Sequence, residues 1–273
     1  MTHVESAGLT DVGRKRKENE DAFFIDDRTG LYVVSDGMGG HLAGEVASRL
    51  VVAAVRDVIT GQRRMPREDE NADSALSGSA NLLLYAIRIA NEEVFSAASG
   101  NESFKGMGAT LSAVLLSGET LVAANVGDSP IYLVHKGVME RLSIPHTLAA
   151  EHAALDPEGK TPLDPKFRHV LTRAVGTHET VLADACEIQR CSGDILVICS
   201  DGLSNTVTPD EICRRVREEA PAAACRQLVE LANQRGGEDN ITVIVIKSTP
   251  ERSRIRHFVK RFTHFFWRNQ AIQ

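Results

Sequence analysis

Short runs of apolar residues, each bounded by turn-forming residues, recur along most of the chain. The first two runs flank a turn-rich segment at residues 26–30 and are typical of a β-hairpin. The sequence predicts seven strands, at residues 22–25, 31–35, 110–116, 121–126, 131–135, 195–200 and 242–246. The repeated strand–helix–strand order of a parallel sheet is missing, so we expect mostly antiparallel pairing.

Apolar residues spaced three and four positions apart predict helices in the intervals between these strands. The predicted helices span residues 43–60, 81–97, 209–219 and 222–235, and the polar segment 61–78 is expected to form a surface loop. Thr208 followed by Pro209 is typical of a helix N-terminus. The order of elements predicts an α+β fold, in which two mostly antiparallel sheets pack face to face and a helix pair covers each outer side.

The last 24 residues differ from the rest in charge. Residues 250–273 carry a net charge of +5, whereas residues 1–249 carry −11 and are expected to form a single domain. Apolar residues of this tail recur at helical spacing, at Ile255, Phe258, Val259, Phe262, Phe265 and Phe266. Two interpretations remain open: a basic amphipathic helix that binds an anionic membrane surface or a partner protein, or a helix that packs on its own domain.

Composition narrows the class of protein. The chain has 273 residues, of which 42% are hydrophobic and 25% charged, which excludes a disordered chain, a collagen-like chain and a disulfide scaffold. A net charge of −6 and an aromatic content of 5% argue against nucleic acid as a partner. Five cysteines without CxxC spacing, and no signal-peptide or membrane-span pattern, lead us to expect a cytoplasmic monomer with reduced thiols.

Five aspartates stand at the ends of predicted strands, next to glycine or other small residues. They are Asp21, Asp36, Asp128, Asp201 and Asp239. Each Asp-Gly or similar pair is by itself also typical of a turn. Strands that end together bring such carboxylates to one point, where they repel each other unless cations are bound. Oxygen ligands favour Mg²⁺ or Mn²⁺, so the five together predict a metal centre that can bind phosphate.

Arg16 lies five residues before Asp21 in the basic run 14–17. A guanidinium at this position can bind two phosphate oxygens at once. The alternative is that the whole run is a solvated surface segment, and the spacing does not decide between the two.

These residues resemble, in order, the motifs of the metal-dependent protein phosphatases of type 2C, which act on phosphoserine and phosphothreonine. The resemblance covers residues 8–247, and Met38 is similar to the bacterial branch. The matching segments are Gly13-x-x-Arg16-x-x-Asn19-Glu20-Asp21, Asp36-Gly37-Met38-Gly39-Gly40, Gly106-Met107-Gly108-Ala109-Thr110, Val126-Gly127-Asp128-Ser129, Ser200-Asp201-Gly202-Leu203 and Asp239-Asn240-Ile241-Thr242.

The resemblance implies an αββα sandwich with two to three Mn²⁺ or Mg²⁺ ions at one end of the sheets. It implies that Asp36 bridges two ions with the Gly37 carbonyl as a further ligand, and that Asp201 and Asp239 complete the first ion's shell. It further implies that Asp21 and Glu20 hold metal-bound waters, that Asp128 joins Asp201 at a third ion, that Arg16 binds the substrate phosphate and that Asn240 orients its neighbours.

The family mechanism implies attack on phosphorus by a hydroxide that bridges the metals, with no covalent enzyme intermediate. The leaving alkoxide needs a proton, for which His41 and a metal-bound water are rival donors. His41 has a third interpretation, as a cap of the helix predicted from residue 43.

The resemblance also defines a flap over the site, at about residues 145–170, and the expected partners: phosphorylated proteins and a Ser/Thr kinase whose action is reversed. Three residues depart from the family pattern: Pro130, Pro145 and His169. Two other functions remain open. The first is a non-catalytic module that binds phosphoproteins, and the second is a nucleotide-binding protein using residues 36–40 as a phosphate loop.

Overall fold

The computed structural model describes residues 4–39, 42–63, 71–158 and 161–248, and these form strands and helices in the predicted order. The strands are β1 (Val4–Asp11), β2 (Asp21–Asp26), β3 (Leu31–Met38), β4 (Gly108–Ala109), β5 (Leu111–Ser117), β6 (Thr120–Val126), β7 (Ile131–His135), β8 (Val138–Arg141), β9 (Asp184–Gln189), β10 (Ile195–Cys199) and β11 (Ile241–Ser248). The helices are α1 (Leu42–Ile59), α2 (Gly78–Gly100), α3 (Leu148–Leu155), α4 (Asp201–Ser204), α5 (Pro209–Glu218) and α6 (Pro221–Gln234).

The strands form two sheets. One has the order β1-β11-β10-β7-β8, and the other has the order β2-β3-β5-β6-β9 with the short β4 beside β3. Every strand pairing is antiparallel, which confirms the expectation from the sequence. Short hairpin connections explain the pairs β2–β3, β5–β6 and β7–β8, because a hairpin can only join antiparallel strands. The other pairs join strands that are distant in sequence.

Alternation along the central strands explains the four layers. In β3, Leu31 and Val33 pack against α1 and α2, whereas Tyr32 and Val34 pack against the other sheet. β11 alternates in the same way, with Val243 and Val245 towards α5 and α6 and with Ile244 and Ile246 between the sheets. Such strands are buried on both faces, so their apolar runs are nearly continuous. The predicted αββα sandwich is confirmed.

The helix starts follow local capping chemistry. α5 begins with a capping box in which Thr208 and Glu211 bond each other's backbone, and Pro209 occupies the first turn, as the sequence indicated. α2 begins at Gly78 rather than at residue 81, because the Ser77 side chain accepts a hydrogen bond from Ala80 N and caps the helix earlier.

Several elements are additional to those expected from the sequence. They are the strands β1, β4, β8 and β9 and the helices α3 and α4. β1 has few apolar residues and exists because its backbone pairs with β11 along its whole length. α3 lies inside the predicted flap and has no buried residue. The sequence therefore lacks the one-sided apolar pattern that would predict this helix.

Some predictions concern residues outside the described ranges. The predicted tail, residues 250–273, and the central part of the predicted loop 61–78 are among them, and both stay predictions, as does the domain boundary at residue 249. Within the described part of the chain, every helix is too short or too polar to traverse a lipid bilayer.

Substitution of an inter-sheet leucine tests the layered core. Leu121→Ala is expected to lower the free energy of unfolding by about 2–5 kcal/mol, because Leu121 is completely buried between the sheets and its removal leaves a cavity. The matched control is Leu155→Ala, in which a side chain 87% exposed is removed and a change within about 0.5 kcal/mol is expected. Urea unfolding measures both, and equal effects would contradict the assigned packing.

Candidate metal centre

The five aspartates predicted from the sequence meet at one end of the two sheets. Asp21 and Asp36 are direct partners across the β2–β3 pair. Asp128 follows β6, Asp201 begins α4 directly after β10, and Asp239 precedes β11. A cleft of about 580 Å³ opens at this end, and its lining includes Arg16, Glu20, Asp36, Gly37, Asp128, His169, Arg173, Asp201, Asp239 and Asn240. The predicted site residues that lie within the described ranges thus share one location, and their individual roles stay predictions.

Asp36 is held by the segment between β4 and β5. Its N–H donates to Thr110 Oγ1 at 3.0 Å, and its carbonyl accepts a hydrogen bond from Thr110 N at 2.8 Å. The Ser35 hydroxyl donates to the Thr110 carbonyl at 2.6 Å. Because these three bonds fix the backbone on both sides, the Asp36 carboxylate has little freedom to leave the cleft.

Two glycines allow a close approach between β3 and the first turn of α1. A Cβ at Gly37 would lie 2.0 Å from the Gly44 carbonyl oxygen, and a Cβ at Gly44 would lie 2.1 Å from Glu20 Oε2. Larger residues at either position would displace the helix or the Glu20 carboxylate. The Gly37 N–H in turn donates to the Glu20 carbonyl at 3.1 Å, which ties the loop before β2 to the metal centre.

Asp21 is anchored by hydroxyl groups of the other sheet. Thr242 Oγ1 and Ser200 Oγ donate to Asp21 Oδ2 at 2.6 Å and 2.8 Å. Both hydroxyl residues stand inside matching motif segments, but sequence reasoning gave them no role, because their contacts with Asp21 join residues 179 and 221 positions apart.

The carboxylate oxygens left without partners fit a site for cations. Among the residues that the structure describes, Asp21 Oδ1 and Asp201 Oδ1 are buried and accept no hydrogen bond. A buried carboxylate oxygen without a donor is costly, and a hard divalent ion satisfies it directly. The five aspartates offer only carboxylate oxygens as ligands, and such ligands suit Mg²⁺ or Mn²⁺.

The electrostatics of the cleft point the same way. Burial raises the pKa of Asp36 well above its ordinary value, and the negative charges of Asp21 and Asp201 raise it further. Burial also raises the pKa of Asp21 to about 7, against the hydrogen bonds from Thr242 and Ser200. Burial and the charge of Asp201 raise the pKa of Asp128 to about 6. Without cations, burial and mutual repulsion therefore disfavour the charged form of these carboxyl groups.

Arg16 reaches the cleft through an ion pair. Its Nη2 donates to Asp239 Oδ2 at 2.8 Å, and the two side chains are 53% and 36% exposed. Arg16 also lines the cleft, which favours the phosphate-binding interpretation over that of a purely solvated basic run.

Asn240 fixes the loop that carries Arg16 and Glu20. Its Nδ2 donates to the carbonyls of Val12 and Glu18 at 3.0 Å and 2.9 Å, and its Oδ1 accepts from Glu20 N at 2.8 Å. One side chain thus satisfies three backbone groups of a loop that is distant in sequence. This geometry fits the orienting role expected of Asn240.

The flap is joined to the Asp128 turn by a histidine. His146 Nδ1 accepts a hydrogen bond from Gly127 N at 3.0 Å, so Nε2 carries the proton and donates to Asp184 Oδ2 at 2.9 Å. Asp184 was missed from the sequence, because only the pairing of β9 with β6 brings it near His146. The contact shows that Pro145, in place of an acidic residue, leaves His146 with a carboxylate partner.

The other departures from the motif pattern have different surroundings. Pro130 is buried, and its carbonyl accepts a hydrogen bond from Cys199 N at 3.2 Å. His169 lines the cleft and interacts electrostatically with Asp128 and Asp201. Arg173 also lines the cleft, and its Nη1 lies 3.5 Å from Asp184 Oδ1. His41, the candidate proton donor, lies outside the described residues.

Comparison with known proteins gives the family. The family model described as "Protein phosphatase 2C" matches residues 13–241. The chain belongs to the protein phosphatase 2C family. The "Serine/threonine phosphatase stp" of Listeria innocua is 32% identical over 243 residues, which is 87% of this chain and 93% of that protein.

Solved structures of this family share the fold. The Mycobacterium tuberculosis serine/threonine phosphatase PstP/Ppp is 30% identical, with a TM-score of 0.76 over 90% of this chain and 99% of that one. The catalytic domain of PstP in complex with 2 manganese ions is 31% identical, with a TM-score of 0.76 and the same coverage of both chains.

The stability of the metal-free protein is expected to fall between pH 5 and pH 7. Asp128 and Asp21 have folded-state pKa values of about 6 and about 7, above the ordinary 3.8 of an aspartate, so the folded state holds protons that the unfolded chain has released. Their stabilising contribution is present at low pH and is lost as the pH rises through the folded-state values.

Urea unfolding in the presence of a chelator, at several pH values, measures this dependence. Asp128→Asn is expected to make the decline shallower, whereas Asp210→Asn, at an exposed position in α5, should leave it unchanged. An identical slope in the wild type and in Asp128→Asn would show that the Asp128 carboxyl does not titrate in this range.

Proposed function

We propose that this protein is a metal-dependent protein serine/threonine phosphatase that hydrolyses phosphoserine and phosphothreonine. The observation that carries the proposal is that four aspartates line one cleft, with Asp21 buried beside Asp36, and that two buried carboxylate oxygens have no donor among the described residues. Family membership and the names of its relatives support it. The presence of all five aspartates disfavours the alternative of a non-catalytic phosphoprotein-binding module.

The site takes two to three Mn²⁺ or Mg²⁺ ions. Asp36, the Gly37 carbonyl, Asp201 and Asp239 hold the central pair, with Asp36 shared between the ions. Asp21, Glu20 and Asp128 complete the set, the last at a third ion with Asp201. The relative whose catalytic domain was solved in complex with 2 manganese ions supports the choice of ion. When bound, such ions supply Lewis acidity, which lowers the pKa of water and neutralises charge on the phosphoryl group.

The chain's own groups position the substrate. Arg16, at the rim of the cleft, binds the phosphate oxygens through its guanidinium, and its bond to Asp239 holds the guanidinium in place. Asn240 bonds the backbone of the loop that carries Arg16 and Glu20, which holds this loop beside the aspartates. His41 remains the proposed proton donor to the leaving alkoxide, with water as the rival.

The substrates are phosphorylated proteins, and the protein reverses the action of a Ser/Thr kinase. The flap borders the cleft through His169 and Val170, and its sequence is proposed to tune substrate choice. We further propose a monomer, located in the cytoplasm. The five cysteines without disulfides support the cytoplasmic location.

Contact with a membrane surface or a partner through residues 250–273 is part of the same proposal, and the tail's net charge of +5 supports it.

Asp36→Asn tests the metal centre. It should lower kcat on a phosphothreonine peptide with Mn²⁺ by roughly 100-fold or more, which corresponds to about 2.7 kcal/mol or more of transition-state stabilisation. The matched control is Asp210→Asn, which changes an exposed aspartate outside the cleft and should retain the wild-type rate. A wild-type rate in Asp36→Asn, or no metal-dependent turnover in the wild type, would refute the proposed function.

Arg16→Ala tests phosphate binding. Loss of a charge-assisted hydrogen bond of about 1.5–3 kcal/mol predicts a decrease in kcat/KM of roughly 10- to 150-fold. Arg14→Ala removes an exposed arginine of the same basic run and should change kcat/KM less than about twofold. Steady-state kinetics on the same peptide compare the two, and equal losses would assign the effect to the general charge of the run.

A further inference from the structure

A second cluster of metal-ligating side chains lies outside the cleft. His135 ends β7, and Cys191 and Asp194 lie in the connection between β9 and β10. One potential ligand atom from each residue lies within 4.8 Å of the other two. Imidazole, thiol and carboxylate groups that are distant in sequence are thus brought to one point by the pairing of β10 with β7.

The cluster is separate from the catalytic centre. Asp194 precedes β10 and Asp201 follows it, so seven residues of nearly extended chain place them about 23 Å apart. His135 and Asp128 likewise flank opposite ends of β7. A ligand in this cluster therefore cannot share an ion with the cleft.

Backbone contacts hold the cluster in position. Asp194, 3% exposed, has its Oδ1 2.7 Å from His135 Nδ1, and its Oδ2 accepts a hydrogen bond from Cys191 N at 2.8 Å. The Asp194 carbonyl accepts from Ser248 N at 3.0 Å, at the end of β11. The loop is therefore fixed before any ion binds, which lowers the conformational cost of binding.

The donor set selects the ion. A thiolate, a neutral imidazole and a carboxylate carry a total charge of −2, which a divalent cation neutralises. Sulfur and nitrogen donors favour zinc over Mg²⁺ or Mn²⁺. Donor atoms of a tetrahedral zinc site lie about 3.3–3.8 Å apart, within the range spanned by the 2.7 Å His135–Asp194 contact and the 4.8 Å limit of the cluster.

We propose that His135, Cys191 and Asp194 form a zinc site distinct from the catalytic centre. Zinc takes the place of the thiol proton of Cys191, which passes to the solvent, and of the hydrogen bond between His135 Nδ1 and Asp194 Oδ1. His135 then binds as a neutral imidazole with its proton on Nε2, and a water fills the fourth position. The ion joins β7 to the β9–β10 connection and, through Asp194 and Ser248, to the end of β11. It stabilises this end of the sheet, and turnover at the cleft does not depend on it.

Cobalt, a spectroscopic substitute for zinc, tests the proposal. The purified full chain, stripped with a chelator and kept reduced with a phosphine, is titrated with Co²⁺. A thiolate-to-cobalt charge-transfer band is expected in the near ultraviolet, and Zn²⁺ but not Mn²⁺ should abolish it. The oxygen ligands of the cleft give no such band, so the result is independent of whether the protein is a phosphatase.

Two variants assign the band. Cys191→Ala should lose it, whereas the matched control Cys186→Ala, at another partly buried cysteine, should retain it.

A third variant tests the imidazole ligand: His135→Gln should weaken Co²⁺ affinity roughly tenfold or more. Zn²⁺ should raise the thermal midpoint of the wild type and of Cys186→Ala, but not that of Cys191→Ala. Absence of the band in the wild type, or its retention in Cys191→Ala, would show that the cluster is a His135–Asp194 hydrogen bond only.

Discussion

Carboxylates that are buried close together repel each other, and this repulsion is the constraint on which the rest of the structure depends. Asp21 and Asp36 are cross-strand partners, and the charge of Asp201 acts on both. The fold tolerates them because the Ser200 and Thr242 hydroxyls and the Thr110 backbone hold them from several strands at once. The free energy of folding thus maintains an arrangement whose repulsion is relieved by protons or by bound cations, so the cleft favours divalent ions.

The two sheets give this arrangement its precision. Asp36 lies in β3 and Asp128 follows β6 of the same sheet, whereas Asp201 and Asp239 adjoin β10 and β11 of the other sheet. The apolar layer between the sheets, with Tyr32, Leu121 and Ile198 completely buried, therefore sets the distance between the two halves of the metal centre. Because that layer is closely packed, a change in its packing also changes the metal centre: a shift of one sheet would move two aspartates relative to the others.

The two ends of β7 and β10 carry chemically different groups of side chains. The catalytic cleft collects oxygen donors at one end of β7 and β10, while His135, Cys191 and Asp194 collect nitrogen, sulfur and oxygen donors at the other. Hard ions suit the first set and zinc suits the second. A single chain can thus keep two metals apart by donor type and by the length of a strand.

The amino-acid sequence by itself determined the family motifs, the α+β order and the strong local signals, such as the Thr208–Glu211 cap and the apolar runs of β3 and β11. Each of these depends on residues close together in the chain. Only the tertiary structure decided that β1 is a strand, that Asp184 meets His146, that Thr242 and Ser200 bond Asp21, and that Cys191 lies beside His135. These contacts join segments with no shared local pattern, so they exist only once the strands have paired and the two sheets have packed.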